Sequence, residues 1–284
     1  VVVLRVPELP AHARPTGHAL RLTSTVDDAL RAGRPIVALE SSVLAQGLPI
    51  PANEDADRRT RAAVEAGGAV AAVAAVVRGQ PGFGLEGADL ARFLARDGVR
   101  KVSARDLAIV MAQGGDGATT VAATLALCTL AGIEVFATGG IGGVHREPPF
   151  DESADLVELS RSPVIVVCAG AKSILDLPAP LERLDTLGVA VVGYRTSRLP
   201  GFFTSDTGLA LPARVDSADE IARVWLAQRT LGRPGALLVT QPPPADEALP
   251  TEVVERAISR ALDEARTSGV RGAAVTPFLL AAVE

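Results

Sequence analysis

At 284 residues, 48% of them hydrophobic, and with a formal net charge of −5, the chain can bury one large core. It has neither a basic block nor, at 3% aromatic residues, the composition of a nucleic-acid surface. The longest apolar run, 69–77, is too short to span a bilayer, no basic stretch leads into an apolar core at the start, and Cys128 and Cys168 lie inside apolar runs as small hydrophobes. A cytoplasmic protein without membrane attachment is expected.

Residues 1–24 read as a loose lead-in with Pro7, Pro10 and Pro15, and 25–284 as a single domain with no internal linker. Ser24 to Asp28 cap a short helix to 32, with acids in its first turn. Residues 35–40, P-I-V-A-L-E, form a buried strand that ends in a carboxylate, Glu40. After a loop marked by Gly47, Pro49 and Pro51, Asn53 caps a helix to 66. A strand over 70–77, a loop over 79–84, a helix over 86–97, a short strand or turn at 101–103 and a helix over 104–113 follow. Gly114 to Gly117 break that helix, and the next runs over 118–131. A strand over 135–138 feeds the glycine run 139–143, and a capped helix covers 153–160. Beyond the strand 164–168 come a strand over 189–194, a loop at 201–203 placed to cover a site, a helix over 218–231, a strand over 236–240 and a helix over 251–267. This alternation defines an α/β/α sandwich around a mostly parallel or mixed central sheet, not an eightfold barrel.

The most informative stretch is 163–177, P-V-I-V-V-C-A-G-A-K-S-I-L-D-L. Its β-branched run is a buried strand, its glycine a tight turn, and 173–181 a helix that Pro178 and Pro180 cut short. Lys172 thus stands where α/β folds place ligands, outside the carboxyl end of a strand. Only Lys101 and Lys172 among the 28 basic residues are lysines. A retained lysine points to chemistry denied to arginine, since lysine can lose its proton, attack a carbonyl and form an imine.

Glu40 either caps the turn that follows it or serves as a general acid. Thr138 and the glycines behind it present backbone N–H groups suited to a phosphate or another anion, although G-G-I-G-G does not match the dinucleotide fingerprint. Asp151, Ser153 and Asp155 offer oxygens at i, i+2 and i+4, fit either for helix capping or for a hard ion such as Mg²⁺ or Mn²⁺. Residues 117–120 supply another hydroxyl-bearing helix start.

Seven segments together resemble the pseudouridine-5′-phosphate glycosidase, or indigoidine synthase A-like, family. They are A-L-E-S-S at 38–42, K-V-S-A-R-D-L at 101–107, G-A-T-T-V-A-A-T at 117–124, F-A-T-G-G-I-G-G-V-H-R at 136–146, D-E-S-A-D-L at 151–156, V-V-C-A-G-A-K-S-I-L-D at 166–176 and P-G-F-F-T at 200–204. The resemblance implies a lyase that reversibly converts pseudouridine 5′-phosphate and water to uracil and ribose 5-phosphate, in a homotrimer. Under it, Lys172 is the Schiff-base lysine and Glu40 the proton donor. Asp151 is the Mn²⁺ position; Lys101, Val121, Thr138, His145, Ser153, Ala154 and Asp155 are substrate-binding positions, with Lys101 on the phosphate.

The chain departs from the family at A-Q-G, 45–47, where S-H-G is usual, and at Ala273, where a lysine is usual. The family also continues past T-P-F-L-L, which implies that its C-terminal end is lacking here. A sugar-phosphate-binding homologue without turnover and an imine-forming sugar-phosphate aldolase are the alternatives; uracil release separates both from the glycosidase.

Overall fold

Short runs of β-branched residues buried on both faces make interior strands of a parallel sheet, and they set the frame of this molecule. The computed structural model describes residues 20–144, 152–172, 178–270 and 278. In chain order the elements are β1 (Arg21–Leu22), α1 (Ser24–Arg31), β2 (Ile36–Leu39), α2 (Ala52–Ala66), β3 (Val70–Val77), β4 (Gln80–Phe83), α3 (Gly87–Leu94), β5 (Val99–Val102), α4 (Leu107–Ala112), β6 (Asp116–Thr119) and α5 (Val121–Ala131). They continue with β7 (Val135–Ala137), α6 (Ala154–Leu159), β8 (Ile165–Cys168), α7 (Pro178–Thr186), β9 (Ala190–Tyr194), β10 (Arg214–Val215), α8 (Ala218–Thr230), β11 (Leu237–Thr240) and α9 (Thr251–Thr267).

Strands β3, β2, β7, β8, β11, β9 and β10 lie side by side in that order, each pair parallel. Side-chain alternation sends Ala38, Phe136, Val166 and Leu238 to one face, where they pack with α1, α5, α6, α7 and α9. Val37, Leu39 and Val73 point the other way onto α2 and α3, and Ile165, Leu237 and Val239 onto Trp225 of α8. The result is the three-layer α/β/α sandwich around a mixed sheet. Among the described residues no helix is long and apolar enough to cross a membrane.

One strand does more than its neighbours. The first half of β3 pairs with β2, from Ile36↔Val70 to Leu39↔Val73. Its second half runs past the end of β2 and pairs antiparallel with β4 on one edge and with β6 on the other, Ala75↔Ala118 and Val76↔Gly117. Strand β6 in turn pairs with β5, matching Lys101 to Ala118. The β5–β6 annex therefore stands over the carboxyl end of β2, where Glu40 emerges.

Several expectations are corrected. The lead-in does not extend to 24: Arg21–Leu22 pairs with Gly82–Phe83, and Ser24 already belongs to α1. Residues 80–83 are a strand, because the twin edge of β3 recruits them despite Pro81. The start expected for the helix at 118 is strand β6, and α5 begins only at Val121 with Thr120 as its cap. Asn53 lies inside the first turn of α2; its buried Nδ2 donates to the carbonyls of Leu44 and Leu94, both at 2.9 Å. Residues 173–177, where a helix is expected to start, lie outside the described residues; Pro178 and Pro180 both belong to α7, which runs on to Thr186 rather than stopping at 181.

Candidate active site

Glu40 follows the last residue of β2 and is only 7% exposed. Its carboxylate accepts hydrogen bonds from Ser42 Oγ at 2.7 Å and Thr138 Oγ1 at 2.5 Å. Ser42 stays close because a π-helical turn, Val43–Gly47, follows it, and Asn53 fastens that turn. Beneath lies a buried hydroxyl set: Ser41 Oγ accepts from the Thr119 N–H at 2.9 Å, and Thr119 Oγ1 donates to the Ala74 carbonyl at 2.9 Å. These bonds tie the end of β2 to the annex, so Glu40 is oriented from both sides.

Lys172 is half-buried and lies beyond β8, where pairing with the β7 side continues. Thr138 N–H donates to Val167, Ala169 N–H to Gly139, Ile141 N–H to Gly170 and Lys172 N–H to Ile141, at 3.0 to 3.1 Å. The glycine run thus continues the parallel ladder through Ile141. What the ladder achieves is register: it holds Thr138, partner of Glu40, and Lys172 on adjacent strand exits.

Lys101 reaches the same place from β5. By area it is exposed, yet protein surrounds enough of its ammonium to dehydrate it. That dehydration, followed by the charge of Lys172, draws its pKa below the ordinary 10.5, while Glu40 and Asp155 pull the other way. Lys172, Glu40 and Asp155 are therefore each within electrostatic reach of Lys101.

Asp155, only 6% exposed, uses both carboxylate oxygens on main chain: Oδ1 accepts from Ala122 N–H and Oδ2 from Gly142 N–H, each at 2.8 Å. Ser153 caps α6 with its Oγ on Asp155 N–H at 3.2 Å, and its own N–H donates to the Gly143 carbonyl at 2.8 Å. A Cβ on Gly142 would fall 2.3 Å from Ser153 Oγ, so glycine there permits the close approach. Ala154 is the exposed first residue of α6. The Val121 side chain is core, 1% exposed, which leaves its backbone N–H at the start of α5 as the group it can offer.

His145 and Asp151 lie outside the described residues. Among those described, no three His, Cys, Asp or Glu side chains gather as a metal site, and Asp155 is already engaged by two N–H groups. The described donors do not fit a cation by themselves. Sequence reasoning missed Ser42 and Thr119 as supports of Glu40. The only signal available was the hydroxyl pair directly behind the carboxylate in A-L-E-S-S.

A lysine beside a hydroxyl-held buried carboxylate, at the carboxyl ends of a parallel sheet, defines an α/β site for carbonyl or phosphosugar chemistry. The model of the indigoidine synthase A like protein family matches residues 25–284, and the chain belongs to that family. Relatives carry the name pseudouridine-5′-phosphate glycosidase: one from Gemmatimonas aurantiaca is 66% identical over 264 residues, covering 93% of this chain and 86% of its own. Another from Herpetosiphon aurantiacus is 52% identical over 266 residues, covering 93% and 88%. Among solved structures, the prealnumycin C-glycosynthase AlnA in complex with ribulose 5-phosphate superposes with a TM-score of 0.86 at 38% identity, over 94% of this chain and 87% of that one. An indigoidine synthase A-like protein from Thermotoga maritima gives 0.82 at 35%, over 88% and 83%.

Proposed function

We propose that the chain is a pseudouridine-5′-phosphate glycosidase that breaks the C–C glycosidic bond through an imine on Lys172. The observation that carries this is the meeting of its two lysines with Glu40 at the ends of β2, β5 and β8. The names of its relatives supply the substrate. Uracil bound through carbon is a poor leaving group, because direct rupture would leave a carbanion. Glu40 gives its proton to the ribose ring oxygen as the C1′–O bond opens. The Lys172 amine adds at C1′ and loses a proton. Its lone pair then forms the C=N bond as the C1′–uracil bond breaks, the uracil carbon taking a proton. Water adds to the iminium and releases ribose 5-phosphate. A two-carboxylate glycosidase has no such electron source. Mixing uracil, ribose 5-phosphate and Mn²⁺ with the protein tests the reading: formation of pseudouridine 5′-phosphate is expected, and a sugar-phosphate binder or aldolase would give none.

Lys101 holds the phosphate in this reading. Loss of a charged hydrogen bond in Lys101→Ala costs about 1.5–3 kcal/mol, roughly ten- to a hundredfold in kcat/KM at about 1.4 kcal/mol per decade. Lys101→Arg keeps part of the activity, and pseudouridine without phosphate is far less affected. The lowered pKa adds a sign: the ammonium is present below that pKa and lost as pH rises through it, on the acid side of 10.5. KM for the phosphorylated substrate therefore climbs with pH in that window, and Lys101→Ala removes the climb. Equal damage to both substrates would place Lys101 in ring opening or proton transfer instead.

The proposal includes Mn²⁺, or another hard divalent cation, at Asp151, in a cytoplasmic homotrimer as the family resemblance implies. Chelation lowers activity, and Mn²⁺ restores it in the parent but poorly in Asp151→Asn. Undiminished turnover after exhaustive metal removal would remove Mn²⁺ from the account.

A further inference from the structure

Phe202 adopts φ +63, the left-handed region that an aromatic residue enters only when its surroundings over-determine it. Two sets of contacts do so here. Its N–H donates to the Ala169 carbonyl at 2.9 Å, on the exit of β8, next to the antiparallel bridge Gly170↔Gly201. Its ring lies on the exit of β7: a Cβ on Gly140 would stand 2.5 Å from ring Cδ2, and one on Gly139 3.3 Å from Cε2. The two glycines next to Thr138 thus leave room for this ring. Phe203 meets it edge-on with centroids 4.6 Å apart, and the Phe203 carbonyl accepts the Leu249 N–H at 2.8 Å, anchoring the loop toward α9.

A single residue therefore holds β8 by its backbone and β7 by its ring. One exit carries Thr138 and the other Lys172. We propose that Phe202 is a positioning residue that clamps these two strand exits together and fixes where the Glu40–Thr138 pair stands relative to Lys172. The inference rests on the Lys172 reading for its chemical meaning.

The test uses Phe202→Gly, which accepts the left-handed backbone without its ring, beside Phe202→Ala and Phe202→Tyr, in the full chain. With melting temperature and circular dichroism confirming a folded protein, kcat on pseudouridine 5′-phosphate falls roughly ten- to a hundredfold in the glycine and alanine variants, the range a displacement of about 1 Å produces. KM stays within about threefold, since the substrate's binding groups are untouched. Amide hydrogen exchange at Ile141 and Lys172 accelerates in both variants, and Phe202→Tyr restores kcat and protection together. Wild-type kcat in Phe202→Gly overturns the clamp, even with faster exchange, because the ring would then be structural only. A loss confined to KM also overturns it, by making the ring a substrate contact. Borohydride trapping of ribose 5-phosphate on the wild-type protein judges the other reading separately: turnover without a Lys172 adduct removes the imine, while the kcat comparison still decides the clamp.

Discussion

Lys172→Arg is expected to be as inactive as Lys172→Ala, with kcat reduced by at least on the order of 10³, as deleting a covalent nucleophile does. Charge and length are nearly kept in the arginine variant, so an electrostatic role for Lys172 would leave substantial activity. A guanidinium, however, stays protonated and has no lone pair to add at C1′. The main chain is unaffected by either change, because Lys172 N–H remains bonded to the Ile141 carbonyl at 3.1 Å. Borohydride reduction in the presence of ribose 5-phosphate, followed by peptide mapping, places the adduct on Lys172 in the parent and leaves Lys101 unmodified in the variants. An adduct that persists in Lys172→Ala would move the nucleophile to Lys101 and defeat the assignment.

Glu40→Gln carries the second large effect. Glutamine keeps the volume of a side chain buried to 7% exposure and can still bond the Ser42 and Thr138 hydroxyls, but it has no proton to give. Loss of general acid catalysis lowers kcat by about 10²–10⁴. Ribose 5-phosphate, by contrast, opens to its aldehyde unaided in water, so its imine with Lys172 forms in Glu40→Gln at close to the parental rate. Turnover lost with trapping retained identifies ring opening as the work of Glu40. Trapping lost in equal measure would show that Glu40 orients Lys172 or the sugar, and the acid role would fall.

What the sequence revealed, and what it hid, follows from where each kind of information is stored. Strands β2, β8 and β11 are buried along nearly their whole length and were legible as apolar runs. Glu40 and Lys172 were legible because each ends or follows such a run, and the scarcity of lysine drew attention to Lys101. Strand β6, D-G-A-T, has no apolar alternation at all; it is a strand only because the far half of β3 has an unfilled edge. Pro178 and Pro180 look like terminators locally, yet both lie within α7. In the glycine run the partners that demand small residues are Phe202 and Ser153, remote in sequence and invisible to local pattern. Asp155 likewise reads as a free oxygen donor until Ala122 and Gly142 are seen to occupy it.

The split course of β3 has a consequence for how such a protein can change. Its first half belongs to the sheet that carries Glu40 and, through β7 and β8, Lys172; its second half pairs with the annex that carries Lys101. In the proposed reading, recognition of the substrate's charged end and the bond-breaking groups thus lie on separate branches of one strand. Insertions or altered turns around β5 and β6 would shift the reach of Lys101 without disturbing the register between the β7 and β8 exits. A scaffold built in this way can exchange the molecule it accepts while conserving the reaction it performs.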